Sequence, residues 1–333
     1  MKQILLATTA LVMTAGVAAA EISFSGYAEM GIVGGGDGEF APVPAGRDNN
    51  ETQFHNDFNL KVTATSETDT GLAFGVSVEI SKDEGRSNGN FSADNEAAFI
   101  SGAFGTLTMG EIDGAMDWAM TENIGNPGSI GDDETTHAGY FGAFGDGKYD
   151  NQIARYDYSF GDFGVAVSAE LDDSEEDAAS TNYAVGAKWN GDFGGFGMGA
   201  GIAYQSFETA GTGLGSQGAA FVAGDVELLG VSLTGDFNNG FVAGIAYTDI
   251  SSDLQDGNHL GLSAGFTTGA FQIGANYGVF DMDDQDKVKG YGIAAAYDLG
   301  GGLKLHGGYG DSDFGGGLDD DNETYSVGVS MSF

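Results

Sequence analysis

The chain has no cysteine, only 3 prolines, and 11 lysines and arginines in 333 residues. Without cysteine there is no disulfide framework, no Cys-based zinc site and no thiol nucleophile. The few bases face 50 Asp and Glu, for a formal net charge of -39. That balance argues against a nucleic-acid partner, because phosphate contacts need basic groups. The four histidines, His55, His137, His259 and His306, are scattered and give no HxxH or HExxH spacing. Pairs such as Gly307-Gly308 have no helix after them and make no dinucleotide-binding unit. The chain is thus read as a non-enzyme that requires no cofactor. It is not the composition of a disordered protein either, since 41% of residues are hydrophobic and 11% aromatic. Glycine is abundant at 59 residues, which disfavours helices, where each Gly costs roughly 1 kcal/mol against Ala. An all-β chain with many turns is the expectation.

Residues 1–20 have the three-part pattern of a cleaved secretory signal: Lys2, an apolar run from Ile4 to Met13, and Ala18-x-Ala20 before Glu21. The apolar run is short for a spanning helix, which needs about 20 residues. No later stretch is long and apolar enough to be such a helix, which leaves open a membrane β-barrel, whose strands alternate and escape a hydropathy window.

Residues 21–333 alternate with a period of two, the signal of a strand. Ile22, Phe24, Gly26, Ala28, Met30 and Ile32 interleave with Ser23, Ser25, Tyr27, Glu29 and Gly31. Phe58 to Ala64, Leu72 to Ile80, Phe163 to Leu171, Phe271 to Val279, Tyr291 to Leu299 and Tyr325 to Phe333 repeat the pattern. The opposite face is small and polar, with occasional charges such as Lys61, Arg155 and Lys188. Short connections alternate with long acidic ones at 34–52, 82–96, 111–150, 172–181, 206–224, 249–257, 281–287 and 311–323, and these eight loops hold 36 of the 50 acids. Seven short turns and eight long loops predict sixteen strands. The tenth is expected at about Asp225 to Phe237, with a break in its period at Leu229-Gly230. Sorting every long loop to one end is characteristic of outer-membrane barrels, and an even strand count lets the sheet close without an edge. A barrel of about sixteen strands encloses an aqueous channel. Aromatics near strand ends, among them Tyr156, Tyr158, Phe160, Phe163, Trp189, Phe193 and Phe196, suit interfacial girdles.

The stretch Phe99-Ile-Ser-Gly-Ala-Phe-Gly-Thr-Leu-Thr-Met-Gly-Glu111 resembles the strand–turn–strand before the constriction loop of bacterial general porins. Thr70 to Glu79, Arg155 to Gly164 and Tyr297 to Gly302 resemble that family too, and most of all its alphaproteobacterial members. The resemblance covers the chain after the signal. It implies a homotrimeric, sixteen-stranded antiparallel transmembrane β-barrel in the outer membrane of a Gram-negative bacterium, in contact with its lipid, passing small hydrophilic solutes by passive diffusion. It also implies that Phe333, last on the apolar face, is the signal read by the barrel-assembly machinery.

The longest loop, 111–150, is the one that narrows the pore in the resembling family. Here it carries Glu111, Asp113, Asp117, Glu122, Asp132, Asp133, Glu134, Asp146 and Asp150 against Lys148 alone. Folded inward, these acids would favour cations. The family sets bases on the facing wall. Parity points Lys61 and Arg155 into the lumen, with Lys82 and Arg86 at a strand end, so the basic pore wall is expected to be thin. Asp132-Asp133-Glu134, and the runs 281–286 and 319–321, are candidate Ca²⁺ ligands by their oxygens, although none has the spacing of an EF-hand. The competing readings are a secreted Ca²⁺-binding β-solenoid or surface protein, a substrate-specific porin and a barrel enzyme. The first requires tandem nonapeptide repeats, of which Gly307 to Asp313 is a single near-miss.

Overall fold

A computed structural model describes residues 20–35, 52–82, 91–131, 135, 137–146, 152–171, 181–215, 218–315 and 322–333. Residues 1–19 of the expected signal at 1–20, Arg86, Asp132 to Glu134, Lys148, Asp150 and Asp319 to Asp321 lie outside the described residues.

Sixteen antiparallel strands close into one barrel. They are β1 (Glu21–Gly34), β2 (Gln53–Glu67), β3 (Ala73–Lys82), β4 (Phe91–Gly102), β5 (Gly105–Gly110), β6 (Ile153–Phe160), β7 (Phe163–Glu170) and β8 (Asn182–Asp192). Then follow β9 (Gly197–Leu214), β10 (Ala220–Asp236), β11 (Phe241–Ser252), β12 (Gly257–Thr268), β13 (Phe271–Met282), β14 (Val288–Gly300), β15 (Leu303–Asp313) and β16 (Asn322–Ser332). A five-residue helix, α1 (Ala115–Ala119), lies between β5 and β6. Each strand pairs with its neighbours in sequence, and β1 pairs with β16 from Tyr27↔Ser332 to Gly34↔Tyr325. Beyond that ladder Gly26 N–H donates to the Phe333 carbonyl at 2.6 Å and Phe333 N–H to the Gly26 carbonyl at 3.0 Å. The closure leaves no strand edge for another chain to pair with.

Alternation works as the sequence implies. Phe24, Met30, Val76, Val167, Ile202 and Val327 are exposed on the outer face. Such a sleeve is unstable in water and stable against lipid tails. Short turns use glycine where the chain must reverse, as at Gly161 and Gly269, both at φ +60°, a conformation that costs other residues strain.

Two features differ from the sequence reading. β10 begins at Ala220 and runs unbroken through Leu229 and Gly230, which pair with Asp249 and Thr248. Its irregularity lies instead between Val222 and Gly224. The two adjacent leucines point to opposite faces: Leu229 is outside and Leu228 is buried inside. The inner face is also not uniformly small and polar. Phe207, Val226, Leu228, Ile250 and Phe280 are buried within the barrel. Their partner is the long loop, so the hydrophobic core of this protein is a seam between loop and inner wall.

Candidate functional site

After Glu111 the chain turns into the lumen, and its route is written in hydrogen bonds from loop backbone to wall side chains. Ala115 N–H donates to Ser168 Oγ at 2.8 Å, Thr121 N–H to Ser232 Oγ at 3.1 Å, and Ile124 N–H to Ser263 Oγ at 2.9 Å. Ile130 N–H donates to Ser326 Oγ at 3.0 Å and Gly131 N–H to Glu29 Oε2 at 2.7 Å. These acceptors stand on β7, β10, β12, β16 and β1, so the outgoing limb circles most of the wall. The returning limb is held by Ala138 N–H on Ser312 Oγ at 2.8 Å and by His259 Nε2 on the Gly139 carbonyl at 2.8 Å. An irregular segment inside a barrel needs its buried backbone groups satisfied, and inward serines accept from five of its N–H groups.

Inward glycines let the loop sit close. A Cβ at Gly186 would overlap the Ala115 carbonyl, one at Gly265 or Gly274 would overlap Gly125, and one at Gly278 would overlap the Gly139 carbonyl. Backbone therefore lies on backbone along a glycine belt at loop height. Between the limbs and the wall, Phe141 packs on Phe144 at 4.7 Å between ring centroids and on Phe280 at 5.3 Å, and the His259 ring lies tilted against Phe280 at 4.5 Å. Burial, followed by the neighbouring His259, pushes the loop residue His137 down to about 4, so it is neutral at physiological pH. α1 is tied to β8 by Lys188, whose ammonium lies 3.5 Å from the centroid of the Trp118 ring and donates to the Trp118 carbonyl at 2.9 Å. Such a contact is worth about 0.5–2 kcal/mol depending on desolvation.

The loop thus covers the wall from β7 round to β1 and leaves open the side formed by β2 to β6. There lies a cavity of about 500 Å³, lined by five carboxylates, Glu79, Glu111, Asp113, Asp117 and Asp146, and two bases, Lys61 and Arg155. Lys61 Nζ lies 2.8 Å from Glu79 Oε1. Arg155 donates to the Asp113 carbonyl, and its Nε lies 3.6 Å from Asp157. On the loop side Asp146 accepts from Gly114 N–H at 2.7 Å at the start of α1. Burial, reinforced by the charge of Asp117, nevertheless pushes Asp146 up to about 8. Asp117 is raised by burial and then by Asp113; it hydrogen-bonds to Glu122, which burial and Asp117 together push up to about 8. Two facing buried carboxyls cannot both ionise cheaply, so the pair holds a proton between them.

The sequence-derived site residues fall as follows. Glu111, Asp113, Asp117, Lys61 and Arg155 meet at this cavity, and Glu122 stands behind it on Asp117. Lys82 does not belong to the pore wall. It pairs with Phe58 and Phe91 at the end of β3 and shares the parity of Val76 and Ile80, so the alternation that sends those residues outward sends Lys82 outward too. The candidate Ca²⁺ ligands Asp132, Asp133 and Glu134, and Arg86, fall outside the described residues, and among the described residues no group of acids and histidines is arranged to hold a metal. Sequence reasoning passed over Glu79, although parity puts it on the same face as Lys61. It also passed over the lock of Trp118 on Lys188 and the hold of Glu29 on the loop tip.

A family model described as Gram-negative porin matches residues 7–317. The chain is 28% identical over 328 residues to a porin of Rhodobacter capsulatus, an alignment covering 94% of this chain and all of that one. A solved porin structure refined at 1.8 Å superposes with a TM-score of 0.67 at 26% identity, over 94% of this chain and 100% of the other. An engineered variant of Rh. blastica porin gives 0.66 at 21% identity with the same coverage, a likeness of fold.

Proposed function

The chain belongs to the Gram-negative porin family and forms a general outer-membrane channel, not an enzyme, and from that premise we propose that the channel prefers cations. The observation that carries this is the lining of the eyelet: five carboxyl groups, of which Asp146 holds its proton until about pH 8, against two bases, each base engaged by an acid or a carbonyl. Acidic linings lower the energy of a passing cation and raise that of an anion. Reconstituted in a planar bilayer under a salt gradient, the channel should give a zero-current potential of cation sign. A potential of anion sign would overturn the reading. The solutes are ions and small hydrophilic molecules crossing by diffusion.

We propose further that the barrel works as a homotrimer. A spanning strand needs about 9–11 residues. β5 has 6 residues, and β6 and β7 have 8 each, so the wall is low there and gains cover from a neighbouring copy. We assign Phe333, exposed at the closing seam, to recognition by the assembly machinery, and Ca²⁺ to Asp132 to Glu134. Three measurements test them in turn. The purified protein should run as an SDS-resistant, heat-modifiable oligomer, its melting temperature should fall with chelator, and deletion of Phe333 should reduce its yield from membranes. A monomer in mild detergent, a chelator-independent melt and an undiminished yield would respectively remove the three.

A further inference from the structure

Resting on the cation preference proposed above, we infer that Glu79 is a specificity-determining residue of the pore, the group that silences the base on the wall opposite the loop. Lys61 on β2 faces the cavity, and its side chain is 44% exposed. Left alone, it would confront a passing cation with a full positive charge. Glu79, directly across the ladder on β3, takes that ammonium on Oε1 at 2.8 Å.

The other oxygen, Oε2, accepts from Asn59 Nδ2 at 2.7 Å and Asn95 Nδ2 at 3.0 Å. With three donors converging on it, the carboxylate has one orientation and stays at the cavity lining. The arrangement is built by the backbone. The β3–β4 ladder slips between Ser77 and Glu79, and Asn95 on the slipped strand has φ +52°, a left-handed conformation that Asn tolerates better than most residues. The extra residue re-aims a side chain, as bulges do. It sends Asn95 Nδ2 to Glu79 while the Asn95 N–H donates to Glu111 Oε2 at 2.7 Å. The bulge thereby links an acid of the wall to the first acid of the loop. The ammonium of Lys61, which the sequence presents to the pore, is neutralised by one residue.

The test is a charge cycle read as the cation-to-anion permeability ratio. Glu79→Gln should lower the ratio roughly threefold, the combined and opposite Boltzmann weights on a cation and on an anion of one unit charge about 7 Å away in water at about 0.1 M salt. Lys61→Met should raise it by a similar factor, because Glu79 then faces the pore unopposed. The double variant K61M/E79Q should return it close to the wild-type value. If Glu79→Gln fails to assemble, the comparison of Lys61→Met with K61M/E79Q decides, because removing Glu79 from the K61M background should lower the ratio again. Single variants that both leave the ratio at the wild-type value would overturn the inference. Each shift is measured against the wild type, so a wild-type channel without cation preference defeats the earlier reading, while the threefold shifts would still support the role of Glu79.

Discussion

Replacing Gly278 with valine should lift the returning limb of the loop off the wall, lowering both the thermal stability of the barrel and its single-channel conductance. Gly278 faces inward on β13, and a Cβ there would overlap the Gly139 carbonyl, with His259 Nε2 close behind. Overpacking a well-packed interior costs about 1–3 kcal/mol when side chains can yield. Here the obstacle is backbone, so the loop itself must move. Open space lies in the cavity toward β2 to β6, which the displaced limb would narrow. Moving Gly139 also breaks its bond to His259 and opens the packing of Phe141 on Phe280. Thermal unfolding of the purified oligomer and bilayer recordings check the two effects. Wild-type values for both would mean that the loop is not seated on the glycine belt. The equivalent change at Gly161, where an added Cβ meets nothing within 4 Å, is the control for glycine replacement as such, its own cost arising from φ +60°.

Raising the pH from 6 to 9 should increase the cation preference. Asp146 and Glu122 are pushed up to about 8 and Asp117 is raised, in each case by burial first. At pH 6 Asp146 and Glu122 hold protons, so the loop carries less charge than the number of its carboxyls suggests. As pH rises through about 8 these two ionise, Asp146 at the cavity lining and Glu122 behind it on Asp117. Each uncovered charge should change the permeability ratio by roughly threefold. Because Asp117 and Glu122 share a hydrogen bond, their protons leave as a pair with joint titration steps. The stability effect has the opposite direction. The ordinary value for Glu is 4.5 and its folded value here is about 8, so the folded state binds the proton more tightly than the unfolded chain does. The stabilisation is complete below about 4.5 and is lost as pH rises through about 8. Alkaline solution should therefore sharpen selectivity while loosening the seating of α1. The double variant E122Q/D146N should flatten the pH profile of the zero-current potential. A wild-type profile already flat between pH 6 and 9 would contradict this account of the loop.

The barrel was legible because lipid outside and water inside impose a strict period of two. Phe24 and Val62, or Tyr277 and Tyr291, are cross-strand partners whose parity can be read from the sequence without a structure. The loop was legible by its length. What lay beyond reading is the surface on which the loop rests. Leu228, Phe207 and Phe280 point inward because they pack against it, and an irregular loop has no period by which its partners could be found. Leu229-Gly230 suggested a break for the same reason: an inward leucine is anomalous until the loop is in place. Lys82 went to the wrong face because a residue at a strand end was given a location without its parity being counted. Glu79 was on the correct face, but its pairing with Lys61 depends on the register between β2 and β3, which the turn between them sets. The 59 glycines first read as a sign of strands and turns, and many of them prove to be the bed of the loop.

The most direct measurement is the zero-current potential of wild-type channels in a bilayer under a KCl gradient at neutral pH. The carboxylate-lined eyelet, with Lys61 and Arg155 both engaged, predicts a potential of cation sign that grows as the pH is raised. A potential of zero, or one of anion sign, would contradict it.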